Sequence, residues 1–171
     1  MLMAVTVASQ QKEVIVAAST SWTGAIAKAA GADEVRILAP LELKHPSEYD
    51  FRPGDLQRLV NADFLVWAGY EPFIPRLQES AGLPSEQVVK VLTTNTPSNL
   101  VKQVTYLGKV FGTEKAAGNW VREFTSAVEI MEKQAQELKL HEKRVVVQMH
   151  QEEFIRWLLR QLQHMSRAIA C

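Results

Sequence analysis

The chain has 171 residues, 47% of them apolar and 22% charged, with 19 lysines and arginines against 19 aspartates and glutamates. That length holds one complete core, or one lobe and part of another, and the composition is that of a globular protein rather than a disordered or fibrous one. Balanced charge leaves no positive field to collect phosphate backbones or anionic lipid, which sets nucleic acid aside as a partner.

The single cysteine, Cys171, forms no internal disulfide and supplies no paired-cysteine zinc motif. No apolar run reaches the roughly 20 residues of a membrane helix. The opening MLMAVTVASQQ reads equally as the end of a secretory signal, with small residues around Thr6 to Ala8, and as a plain frayed terminus.

From residue 14 the chain alternates. VIVAAS (14–19) is a short β-branched run of the kind that forms a strand buried on both faces. TGAIAKAAG then predicts a helix closed by Gly31, and EVRIL a second strand. After the loop LELKHPSEYDFR, Pro53 opens a helix continued by DLQRLV, and ADFLVWAG is a third strand. FIPRLQESAG predicts a helix with Pro75 in its first turn and Gly82 at its end, followed by QVVKVLT as a fourth strand. Such βαβαβαβ alternation implies a parallel sheet flanked by helices, because each parallel crossover needs a helix to return the chain.

From Thr113 to about Leu140 apolar residues recur at helical spacing, among them Ala117, Phe124, Val128, Met131, Ala135 and Leu138. One long helix is expected there, with Gly118 weakening it by about 1 kcal/mol without ending it. RVVVQM reads as a fifth strand and EEFIRWLLRQLQHM as an amphipathic helix, after which the chain stops. The expected fold is therefore α/β: a parallel four-stranded sheet lobe with flanking helices (13–112), a long backbone helix (113–141), and the start of a second α/β lobe (144–171). About thirty residues are too few to bury a core unaided, so Phe154, Leu158 and Leu162 would be exposed and open to self-association.

Two histidines stand where chemistry is expected. His45 precedes Pro46, which pushes it toward extended geometry on a stiffened loop after the second strand. His150 directly follows RVVVQM, at the carboxyl end of a strand, and in open α/β sheets that edge is where ligands bind. Neutral imidazole is a common metal ligand, but each histidine, taken alone, also reads as a structural or solvent-facing residue. His141 is most simply a dipole partner at a helix carboxyl end, and His164 a solvated side chain. Ser19, Thr20 and Ser21 line the strand edge or cap the next helix. Glu71 either faces the same edge or favours a helix amino end. Trp22, Trp67, Trp120 and Trp157 are spread through separate elements, as packing residues are. No GxGxxG, GxxxxGK[ST] or GxSxG motif is present, so neither a phosphate cradle nor a serine elbow is on offer.

The stretch LAPLELKHPSEYDFRPGDLQRLVNADFLVWAGYEPFI resembles the first lobe of the zinc and manganese solute-binding proteins of ABC importers. The resemblance runs from VIVAAS through the long helix to VVVQMHQEEF, roughly residues 13 to 157. It implies two lobes joined by a rigid helix, closing on one metal ion without catalysis. It implies a periplasmic or extracellular location and an ABC permease as partner. By resemblance His45 is the metal ligand of the first lobe and His150 that of the second. The chain departs from the pattern where the family carries a further histidine, reading TTNTPSNL instead, with Thr94 or Asn95 toward the site. The family's last carboxylate belongs to a part of the second lobe that this chain does not contain. Two ligands fall short of the three plus water of an open zinc site, so weak capture is expected, completed by Glu71, Asp50, water or a partner molecule. The competing readings are a cytoplasmic α/β enzyme or small-ligand module, and a truncated relative without function.

Overall fold

A computed structural model describes residues 12–40 and 49–139. The residues up to Ile130 make one compact unit, and those from Met131 onward belong to a second. In the first unit the strands are β1 (Ile15–Ala18), β2 (Glu34–Ile37), β3 (Phe64–Trp67) and β4 (Val88–Lys90). Between and after them come α1 (Ser21–Ala29), α2 (Pro53–Leu59), α3 (Phe73–Ala81), a 3-10 turn at Ser85–Gln87, α4 (Pro97–Phe111) and α5 (Glu114–Glu137). The sheet is wholly parallel in the order β2-β1-β3-β4, with Val16 beside Val35 and Phe64, and Val66 beside Val89. The expected α/β class and four-stranded sheet are what the chain forms.

Alternation along the strands sends side chains to two cores. Val16, Val66 and Val89 pack with Ile26, Ala27, Val104, Leu107, Phe111 and Ala117 from α1, α4 and the start of α5. Ala17 and Leu65 point the other way, with Leu59 from α2 and Phe73, Ile74 and Leu77 from α3. Burial on both faces explains the unbroken apolar runs that mark these strands in the sequence. Gly24 lets α1 approach the sheet closely, since a Cβ there would lie 2.4 Å from Ile37 Cδ1.

At the amino edge two Ala-Asp pairs do the same work on either side of β1. Asp33, just before β2, accepts the Val14 N–H at 2.8 Å, and Asp63, just before β3, accepts that of Ile15 at 3.0 Å. Asp63 also pairs with Lys12. Burial pushes its carboxyl up, but the Ile15 N–H and the Lys12 ammonium more than offset this and hold it below the usual value.

Helix α4 is not among the elements expected from the sequence. Its signals are nonetheless present: Thr96 caps it by accepting the Asn99 N–H at 3.3 Å, Pro97 opens it, and Gly112 ends it in left-handed geometry at φ 70°. Leu100, Val104, Leu107 and Phe111 follow at helical spacing and pack on α1 and the sheet. The long helix is shorter than expected, 24 residues, or about 36 Å at 1.5 Å per residue. Trp120 stacks on Phe124 along it, with ring centroids 4.7 Å apart. The expected fifth strand, the last helix and the self-association residues Phe154, Leu158 and Leu162 lie outside the described residues.

Candidate functional site

In a parallel sheet ordered β2-β1-β3-β4, successive connections leave in opposite directions from β1 and β3, and the gap between those two strands is the switch point where doubly wound folds bind ligands. The loops over that gap are Ser19–Thr20 after β1 and Ala68–Pro72 after β3. Thr20 is committed to the helix: its hydroxyl accepts the Thr23 N–H at 3.3 Å, and Thr23 Oγ1 accepts the Thr20 N–H at 3.1 Å. This reciprocal cap is the capping role foreseen for the segment.

Ser19 and Glu71 meet across the gap. The Ser19 hydroxyl donates to Glu71 Oε1 at 2.5 Å, and the carboxylate also accepts the N–H groups of Ala68 at 3.2 Å and Tyr70 at 3.1 Å. Both residues are enclosed, at 0% and 1% exposure. Of the two readings of Glu71, the one at the strand edge is nearer: the carboxylate bonds Ser19 and the loop after β3, while the amino end of α3 has no side-chain cap and no acidic residue in its first turn. Gly69, at φ +92°, makes the turn that brings the two donors round, and a Cβ on it would collide with the Lys90 side chain at 2.1 Å.

The segment that carries His45 is itself outside the described residues, but both of its ends are held firmly. On the near side Leu38 and Ala39 donate backbone N–H bonds to Ala18 and Ser19, extending β2 to the carboxyl edge. On the far side the Tyr49 ring is buried edge-on against Phe73, 5.3 Å between centroids, and its hydroxyl donates to Asp55 Oδ2 at 2.5 Å. Asp55 is the third residue of α2, and the same oxygen accepts the Arg52 N–H at 2.8 Å. Its other oxygen pairs with Arg58, whose guanidinium also donates to the Ile37 and Leu38 carbonyls. One carboxylate thus links the chain entering the loop to the chain leaving it. Burial, together with the hydrogen bond to Asp55 and its charge, pushes the Tyr49 phenol up to about 12. Asp55 and Arg58 were not among the candidate site residues; the Pro-Gly-Asp helix start was their only trace in the sequence.

The remaining candidates are placed elsewhere. Asp50 pairs with Arg76 at 2.6 Å on the exposed surface. The Thr94 carbonyl accepts from Asn99 Nδ2, and Asn95 lines an apolar groove of about 190 Å³ with Trp22, Leu100 and Trp120, on the α1–α4–α5 side rather than over the gap. His150, His141, His164 and Trp157 lie outside the described residues, as His45 does. Among the described residues no three histidine, cysteine, aspartate or glutamate side chains form a metal cage, and no helix is long and apolar enough to cross a membrane.

The sheet and its flanking helices share their fold with several solved structures described as metal-bound or metal-dependent. The metal-dependent lipoprotein YcdH of Bacillus subtilis superposes at a TM-score of 0.53 with 15% identity, over 73% of this chain and 56% of that one. The SBP FpvC of Pseudomonas aeruginosa, solved with Mn2+, does so at 0.53 with 19% identity and the same coverage. Zn(II)-bound AdcA of Streptococcus pneumoniae does so at 0.50 with 17% identity, over 68% of this chain and 31% of that one. The chain therefore spans between about a third and just over half of these proteins. No family model matches its sequence, and no curated protein does.

Proposed function

We propose that the protein is the metal-capturing component of an ABC importer, holding zinc or manganese in a cleft outside the cytoplasmic membrane and handing it to a permease. The observation that carries this reading is the fold it shares with structures solved around Zn(II) and Mn2+. His45 and His150 are the proposed ligands. The described residues that flank positions 41–48, Leu38 and Ala39 at the carboxyl edge of β2 and Tyr49 before α2, are held by hydrogen bonds, which supports the choice of His45. Glu71 is fully engaged and Asp50 is paired with Arg76, so water or a partner molecule completes the shell.

Isothermal titration of the protein with zinc and with manganese tests it. The expected result is a dissociation constant of about micromolar or weaker, and a loss of at least about tenfold in His45→Ala and in His150→Ala, because each removes one of few ligands. Unaltered binding in both variants, or a copurifying organic molecule in place of metal, overturns the reading.

A further inference from the structure

The gap between β1 and β3 is the crevice that a doubly wound sheet offers to a ligand, and in this chain it is filled by a side chain of its own. The Glu71 carboxylate occupies a ready-made anion site: two backbone N–H groups that converge because Gly69 turns the chain through positive φ, and one hydroxyl from across the gap. Ser19 is held in turn by Thr23 Oγ1 at 3.2 Å and by its own N–H, which donates to the Val66 carbonyl at 2.9 Å. Every buried side-chain polar atom among the described residues has a partner. Without the carboxylate, the N–H groups of Ala68 and Tyr70 would be orphaned together and the Ser19 hydroxyl would be left with Thr23 alone, and buried donors left unmade are costly.

We propose that Glu71 is a positioning residue: it plugs the switch point as a built-in anion and locks the loops after β1 and β3 to each other, so that a ligand is held above those loops and never between the strands. The consequence for binding rests on reading this edge as the metal edge, whereas the plug itself does not.

Glu71→Ala with added sodium formate is the decisive variant, because formate carries the missing carboxylate and fits the vacated space. Hydrogen exchange is read at Ser19, Ala68 and Tyr70, with Leu107 in the middle of α4 as a reference for global opening. The expected result is exchange at the three loop amides faster by at least about tenfold, little change at Leu107, and recovery of the loops when formate is added. Zinc affinity should fall with the loop order and return with it. Glu71→Gln keeps the shape and loses the charge, so it should show an intermediate loss and no response to formate. If Glu71→Ala exchanges faster everywhere alike, or ignores formate, the carboxylate is ordinary core and the proposal falls. Should Glu71→Ala not fold, an unperturbed loop in Glu71→Gln overturns the proposal just as firmly. A wild-type protein that takes up no metal would remove the importer reading while leaving the loop measurement to decide the plug.

Discussion

Tyr49 shows how a single side chain ties a loop to the core. Its ring contributes to the apolar cluster beneath α2 and α3, while its hydroxyl reaches a carboxylate that also holds Arg52 and Arg58. Because the folded phenol titrates near 12 rather than 10, the neutral form is favoured by folding. That stability is fully present below about pH 10 and is lost as pH rises through the folded value, up to about 3 kcal/mol in all. Thermal melts between about pH 9 and 12 should therefore fall more steeply in the wild type than in Tyr49→Phe. At neutral pH Tyr49→Phe should cost about 1 kcal/mol, the net worth of one buried hydrogen bond, since Asp55 keeps its other partners. Matching pH profiles for the two proteins would mean that the phenol carries no such linkage.

Elements are placed here by polar side chains at their ends as much as by apolar faces. The carboxylates of Asp33 and Asp63 bracket the start of β1, and Thr20 with Thr23 closes the start of α1 directly after it. Asp63 titrates below its ordinary value in the fold. Its contribution is thus present above the unfolded pKa of about 4 and disappears as pH falls through the lower folded value. Asp63→Asn should lower stability at pH 7 and flatten the acid limb of a denaturant-monitored pH series; an acid limb identical to that of the wild type would contradict this. Thr20→Ala should cost about 1 kcal/mol, the usual value of a lost amino-terminal cap, read as a shifted urea midpoint with unchanged slope. The elements that follow such caps were legible in the sequence. Helix α4 was legible in principle, through Thr96-Pro97 and Gly112, yet the TTNTPSNL stretch reads as loop until Leu100, Val104, Leu107 and Phe111 are counted together as one face.

At the scale of the molecule the sheet separates two cores that, among the described residues, share no side chains. Leu107→Ala on one side and Leu77→Ala on the other each empty a fully buried site, and each should cost about 2–5 kcal/mol. Because the two lie on opposite faces of the sheet, the double variant should equal their sum within about 0.5 kcal/mol. A large shortfall in denaturant titrations would show that the cores communicate through the strands. The apolar stripe of α5 behaves differently: Ala117 is buried in the first unit, while Ile130 is among the exposed large apolar residues.

Strand and helix type were determined by the sequence alone, because burial on both faces demands continuous apolar runs and helices demand a periodic stripe, and both are local patterns. The importance of the carboxyl edge was determined too, since βαβ alternation dictates a parallel sheet whose strands all end on one side. Only the tertiary structure decided what occupies that edge. Ser19 and Glu71 are 52 positions apart, and nothing in AGYEPF announces that its carboxylate turns inward to meet a serine after another strand. A hydrogen bond between distant loops depends on the order of the strands in space, and that order is a property of the assembled sheet rather than of any stretch of chain.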